Sequence, residues 1–257
     1  MEFKPIGFFR GKAARRYEAP RQGVFAGGEG CVELEPQTGF EMALRDLEGF
    51  ERIWLIFAFD RNSGRWRPTT RPPVAAPGHR RVGVFASRAP YRPNPIGLSC
   101  VRLVGVDGLT VHVAEADLLD GTPILDLKPY IPAADSFPAA KAGWVDAQAH
   151  DAWTVKATPD FSSSCAAVTA AGAPDVHRAA VLQLSHAPFD TTHKRVKRTS
   201  NGGILSFRMF RIPFSTDVET RTITLLRLDS GYSPEELALP EDPYDDKAFH
   251  RALPRTC

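Results

Sequence analysis

A mainly β protein is what this sequence predicts, and three features carry the prediction. Twenty glycines and 22 prolines among 257 residues are more than a helical protein tolerates and fit short strands joined by turns. The run Ile53-Trp54-Leu55-Ile56-Phe57-Ala58-Phe59 is apolar throughout and stops at Asp60, as in a strand buried on both faces or a barrel stave. Leu98 to Val106 and Leu109 to Val113 flank Asp107-Gly108, a strong hairpin signal, with Leu109, Val111 and Val113 alternating inward against Thr110 and His112.

The remaining elements follow in order. Phe3 to Phe9 reads as an opening strand, leading into a basic polar loop from Arg10 to Gly30 that contains Pro20-Arg21-Gln22-Gly23. Cys31 to Leu34 is a short strand. Thr38-Gly39-Phe40-Glu41 has capping-box spacing, and Phe40, Leu44 and Leu47 recur at helical spacing until Gly49. A basic, proline-rich loop spans Gly64 to Gly78, and Val82 to Ala86 returns as a strand. Asp117-Leu118-Leu119-Asp120-Gly121-Thr122-Pro123 makes an acidic turn before a strand at Ile124 to Leu127. Residues 158–174 are rich in Ser, Ala and Gly with almost no charge, which reads as a linker. It divides the chain into a β domain over 1–157 and a smaller α+β C-terminal domain over 175–257. That smaller domain has a helical pattern at Asp175 to Leu184, a basic cluster at Lys194 to Arg198, strands near Leu205 to Ile212 and Thr220 to Leu228, and an acidic end.

Composition narrows the function classes. Lys and Arg exceed Asp and Glu by two, so the molecule is no polycation and any nucleic-acid surface must come from local clustering. The four cysteines, Cys31, Cys100, Cys165 and Cys257, form no Cys-x-x-Cys pair, so a reduced cytoplasmic setting without a metal site is expected. The opening residues lack an apolar core of signal-peptide length, and the longest apolar run is too short to cross a bilayer, so no membrane role is expected. Neither a Walker sequence nor G-x-G-x-x-G after a strand occurs, and H-E-x-x-H and G-x-S-x-G are also missing. A nucleotide-like ligand would have to sit on a β framework.

The densest local signal is Arg88 to Ser99, with Pro90, Pro93 and Pro95, two arginines, Asn94 and Gly97 in twelve residues. Each proline fixes its own φ and pushes the preceding residue out of the α region, so Arg88 and Arg92 stand on a stiff frame suited to an anionic or planar polar ligand. A rigid structural crossover is the competing reading of the same residues. Arg65, Trp66, Arg67, Arg71, His79, Arg80 and Arg81 interleave cations with aromatic groups, as in a surface that holds phosphates and stacks an unpaired base; a solvated loop is the alternative.

Taken in order, Pro20-Arg21-Gln22-Gly23, Trp54 to Phe59, Trp66-Arg67-Pro68, Arg71-Pro72-Pro73, Val82 to Arg88, Arg92-Pro93-Asn94-Pro95-Ile96-Gly97-Leu98-Ser99 and Asp117 to Tyr130 resemble the tRNA threonylcarbamoyladenosine methyltransferase family, also called TsaA-like or TrmO. The resemblance runs from Ile6 to about Trp144. It implies a small β-barrel that uses S-adenosyl-L-methionine to methylate N6 of the modified adenosine beside the tRNA anticodon, and that works as a homodimer. By motif match the cofactor contacts fall on Arg21, Gln22, Gly23, Phe59, Asp60, Arg88, Leu98, Asp117, Leu118, Leu119 and Asp120. Carboxylates and an aromatic face suit a sulfonium, and Asp60 and Asp120 are the candidate general bases. Their competing roles are a strand-end cap and a turn residue. RNA contacts are expected from Arg65, Trp66, Arg67, Arg71 and Arg92, and from Lys194, Arg195, Lys197 and Arg198.

Two departures from the family stand out. Asp60 occupies a position where histidine is usual, which offers charge in place of a group that titrates near neutrality. The C-terminal Asp-Pro-Arg-Pro-x-Tyr element is replaced by Ser185-His186-Ala187-Pro188-Phe189-Asp190. These leave two alternatives open: a methyltransferase on the same barrel acting on another RNA or a small molecule, or a non-catalytic module that binds RNA or cofactor.

Overall fold

Strict alternation of burial organises the first half of the chain. In β3 (Arg52–Ala58) the side chains of Ile53, Leu55 and Phe57 are buried while Trp54, Ile56 and Ala58 between them are half-exposed. The apolar run is therefore a barrel stave, not a strand buried on both faces. It joins β1 (Gly7–Gly11), β2 (Gly30–Leu34), β6 (Ile96–Asp107), β7 (Thr110–Ala114) and β8 (Pro123–Pro129). These six antiparallel strands close in the order β1-β2-β7-β6-β3-β8 around a core that includes Phe9, Val32, Leu55, Val101, Val111 and Ile124. The short pair β4 (Thr69–Thr70) and β5 (Val82–Gly83) lies apart from the barrel ladder.

The computed structural model describes residues 2–15, 18, 28–62, 64, 66–71, 81–146, 152–186, 188–189, 194–251 and 253. The chain forms two compact units, 1–141 and 142–257. In the second, β10 (Val196–Thr199), β11 (Gly202–Phe207), β12 (Phe210–Asp217), β13 (Thr222–Leu225) and β9 (Thr154–Ala157) form a sheet, with β14 (Asp229–Ser230) paired to β12.

Several local expectations are corrected. The expected linker at 158–174 instead carries helix α3 (Pro159–Ala170), whose Ser- and Ala-rich sequence hides Phe161, Cys165 and Val168 as a buried stripe. The Thr158 side chain accepts from the Phe161 amide, and Pro159 starts the first turn, so the helix has its own start signal. Helix α4 (Val176–Leu184) follows the expected pattern, with Asp175 accepting from the Arg178 amide and Val176, Ala180 and Leu184 buried four residues apart. Near the start, the expected helix shrinks to one turn, α1 (Phe40–Ala43), and a second single turn, α2 (Pro132–Asp135), follows β8. Gly39 at φ 92° stands at the N-terminus of α1 without a side-chain cap, and Asp46 at φ 65° breaks the helical path before Leu47. The strand expected at Val82 to Ala86 ends at Gly83 and becomes a 3-10 turn over Val84–Ala86.

Candidate functional site

Barrel topology brings the singled-out segments to one end. The register pairs Ala58 with Ile96, Phe57 with Ile124 and Gly11 with Gly30, so the end of β3, the start of β6, the turn before β8 and the β1–β2 loop share a rim. Hydrogen bonds tie them together. The Phe59 amide donates to the Pro95 carbonyl at 2.7 Å, fastening the end of β3 to the proline frame. Ser99 on β6 donates through Oγ to Asp117 Oδ1 at 2.5 Å. Arg61 lies in the 3-10 turn Asp60–Asn62 and donates to the carbonyls of Ala14 at 2.7 Å and Asp120 at 2.8 Å. Asp120 Oδ1 accepts from the Gly11 amide at 3.2 Å, and its own amide donates to Ala13.

Glycine at position 97 is required by close packing. A Cβ there would lie 2.3 Å from the ring of Phe57, which in turn meets Phe59 edge-on at 5.2 Å. The motif's Gly-Leu-Ser thus has three separate jobs: Gly97 admits the Phe57 ring, Leu98 stays 52 % exposed on the outer face, and Ser99 points inward to hold Asp117.

The expected residues sort as follows. Phe59 and Asp60 at the end of β3, Leu98 on β6, and Asp117, Leu119 and Asp120 in the turn before β8 come to the common rim. Leu118 sits in the turn too, but its side chain is 4 % exposed and packs in the barrel core, so that side chain does not reach the rim surface. Arg88 is exposed between the 3-10 turn and the proline frame. Arg21, Gln22, Gly23 and Arg65 lie outside the described residues, as do His79 and Arg80. The chain on either side of that first segment is fixed at the rim, through Ala13 and Ala14 on one side and through Gly28, whose carbonyl accepts from Ala116, on the other. Arg61 and Ser99 were not legible as site residues, because nothing in the local sequence says which carbonyl or carboxylate they reach.

Among the expected RNA contacts, Trp66, Arg67 and Arg71 are exposed. The Arg67 guanidinium stands 5.2 Å from the Tyr91 ring, and Arg92 spends Nη1 on the carbonyls of Val84 at 3.0 Å and Ser87 at 2.8 Å. In the second unit, Arg195, Lys197 and Arg198 are exposed, with Arg198 4.8 Å over the Phe189 ring. Lys194 is a correction: it is buried, and its ammonium donates to the carbonyls of Gln183 and His186, closing the end of α4. A buried cation turned onto carbonyls is not an RNA-facing one.

Burial pushes the thiols of Cys31 and Cys100 up from their ordinary range, with Arg10 and Arg52 respectively pulling the other way. Both are protonated at neutral pH, which argues against a thiolate nucleophile on this barrel. Among the described residues no group of three or more metal-ligating side chains gathers, and no helix is long and apolar enough to cross a membrane.

A family model described as the tRNA-methyltransferase O N-terminal domain matches residues 8–136. The chain belongs to the tRNA-methyltransferase O N-terminal domain family. Its rim segments all fall within that match, as does the closed barrel from Phe8 onward. An Escherichia coli relative named tRNA (adenine(37)-N6)-methyltransferase is 40% identical over 150 residues, which are 56% of this chain and 63% of that protein. The chain thus covers less than two thirds of that relative. A Pyrococcus abyssi family member named a probable S-adenosyl-L-methionine-binding protein is 39% identical over 149 residues, 58% of this chain and 78% of its own length. A crystal structure of TrmO from Pseudomonas aeruginosa superposes with a TM-score of 0.63 at 26% identity, covering 90% of this chain and 98% of that one.

Proposed function

We propose that this chain is an S-adenosyl-L-methionine-dependent methyltransferase that modifies N6 of threonylcarbamoyladenosine beside the anticodon of tRNA, working as a homodimer in the cytoplasm. The observation that carries the reading is the convergence of the Phe59-Asp60, Pro95 to Ser99 and Asp117 to Asp120 segments on one barrel rim inside the family-matched region.

The donor set fits the cofactor. Asp117, half-buried and fixed by Ser99, offers a carboxylate whose position does not depend on the ligand, and Phe59 offers an aromatic face to a cation. Leu98 and Ile96, 52 % and 40 % exposed, give an apolar shelf on the outer face of β6 for a flat ring. The exposed Arg88 suits a carboxylate. When bound, S-adenosyl-L-methionine supplies a methyl group on a cationic sulfur.

What the protein's own residues do is mainly alignment, since a transfer that disperses charge needs the reacting atoms in line more than it needs a strong acid. Arg61 fixes the Asp60 turn to the Asp120 turn, so the two carboxylates move together. Asp120 already accepts the Gly11 amide, which suits it to holding the turn. Asp60, at the exposed start of its 3-10 turn, is the better placed to accept the N6 proton of a urea-like nitrogen. Arg67, Arg71 and Trp66 hold the RNA on the first unit, and Arg195, Lys197 and Arg198 extend contact on the second.

Transfer of label from S-adenosyl-L-methionine into tRNA prepared with and without the threonylcarbamoyl group tests the reading, with nucleoside mass analysis of the product. Incorporation confined to the modified adenosine is expected; none in either tRNA refutes it. A second reading, the same chemistry on another RNA or a small molecule, is favoured by one observation: Ser185 to Asp190 stand where the family's Asp-Pro-Arg-Pro-x-Tyr is usual, and the basic cluster after them has turned Lys194 inward.

A further inference from the structure

Residues 66–71 and 81–92 carry five arginines, Arg67, Arg71, Arg81, Arg88 and Arg92, and not one carboxylate, together with Trp66, Phe85 and Tyr91. Phe85 is 78 % exposed, the highest value for any large apolar side chain among the described residues. It is not on a loose loop. Its neighbour Val84 is buried at 1 %, the Val84 amide donates to Pro68 at 3.0 Å, and the Val84 carbonyl receives the Ser87 amide, Ser87 Oγ and Arg92 Nη1. Arg92 also donates to the Ser87 carbonyl, so one guanidinium spans the turn that carries the ring, with its carbon 5.8 Å from the Phe85 centroid.

A rigidly mounted, solvent-facing ring on a segment that carries arginines and no carboxylate of its own matches a ligand that is both polyanionic and flat. We propose that Phe85 is a stacking platform for an unpaired base of the RNA, with Arg92 fixing the ring and Arg67 and Arg71 holding the flanking phosphates. The proposal rests on the tRNA reading above and names an RNA-contact residue outside the barrel rim. Every base has a π face, so the platform positions the loop without selecting its sequence.

The test uses the full chain and an anticodon stem-loop RNA with 2-aminopurine at an unpaired loop position. Titration with the unsubstituted protein changes the probe's fluorescence as the base stacks. Phe85→Ala abolishes that change and weakens binding about ten- to hundredfold, whereas Phe85→Trp keeps both. Calorimetric affinity for S-adenosyl-L-methionine and the sedimentation mass stay unchanged in both variants. Equal RNA binding by Phe85→Ala overturns the platform alone. A fall in its sedimentation mass assigns the ring to a contact between copies of the chain and also overturns it. Failure of the unsubstituted protein to bind any RNA removes the tRNA reading, and the platform with it.

Discussion

Replacing Gly97 by alanine adds a single methyl group and tests whether the barrel rim is as tightly built as its geometry implies. The new Cβ would lie 2.3 Å from two atoms of the Phe57 ring, well inside contact distance. Phe57 is 6 % exposed in the barrel core, and Phe59 meets it edge-on, so the ring cannot swing away without disturbing both the core and the end of β3. Overpacking of this kind costs about 1–3 kcal/mol. In a chain of 257 residues that corresponds to a melting shift of roughly 2–4 °C per kcal/mol. Urea unfolding followed by far-ultraviolet circular dichroism reads the cost as a lower midpoint. Phe57→Leu removes the clashing ring atoms, so Gly97→Ala should cost far less in that background, with a coupling of about 1 kcal/mol or more. An unchanged midpoint for Gly97→Ala alone, or the same cost in both backgrounds, would refute the packing account of this glycine.

Other outcomes follow from the same rim. Ser99→Ala removes the hydroxyl that donates to Asp117 Oδ1, and calorimetry should find S-adenosyl-L-methionine binding weaker by about tenfold, one hydrogen bond's worth; unchanged affinity would mean that Asp117 does not need its anchor. Arg61→Ala unties the Asp60 and Asp120 turns, so it should lower the methyl-transfer rate more than the thermal midpoint; equal proportional losses would mark Arg61 as a structural brace only. In the second unit, burial pushes the Cys165 thiol from about 9 up to about 12. The folded state then holds a proton that the unfolded chain releases, so this group's contribution is complete below pH 9 and is lost as pH rises from 9 to 12. Cys165→Ala should flatten that part of the stability profile, and an unaltered slope would count against the assignment.

The legible parts of the sequence were those where local pattern and tertiary position agree. Asp107-Gly108 and the alternation after it describe a hairpin that needs no knowledge of the rest of the chain, and Gly108 takes φ 54°. The apolar run in β3 pointed to burial but not to its geometry, because a barrel's outer face can also be apolar where the site begins. Helix α3 was hidden by composition: Ser-Ser-Ser-Cys-Ala-Ala has little amphipathic contrast, and its buried stripe depends on only three side chains. Lys194 is indistinguishable from its neighbours in sequence because a run of basic residues looks uniform, while the fold turns this one inward to satisfy carbonyls at a helix end. The carboxylates of the rim were visible as residue types, whereas Arg61 and Ser99 acquire meaning only through partners that are distant along the chain.

Both units pair an early strand with a late one. In the barrel, Gly7 meets Ile124, and in the second unit β9 runs parallel to β13 with Thr154 opposite Thr222. Such pairings carry the full entropy of closing a long loop, so they form after the local hairpins β6–β7 and β11–β12. During synthesis β9 emerges dozens of residues before its partner and stays an unpaired strand until β13 follows. The second unit therefore spends its most aggregation-prone interval between those two events, and its yield on refolding should depend on protein concentration more than its final stability does.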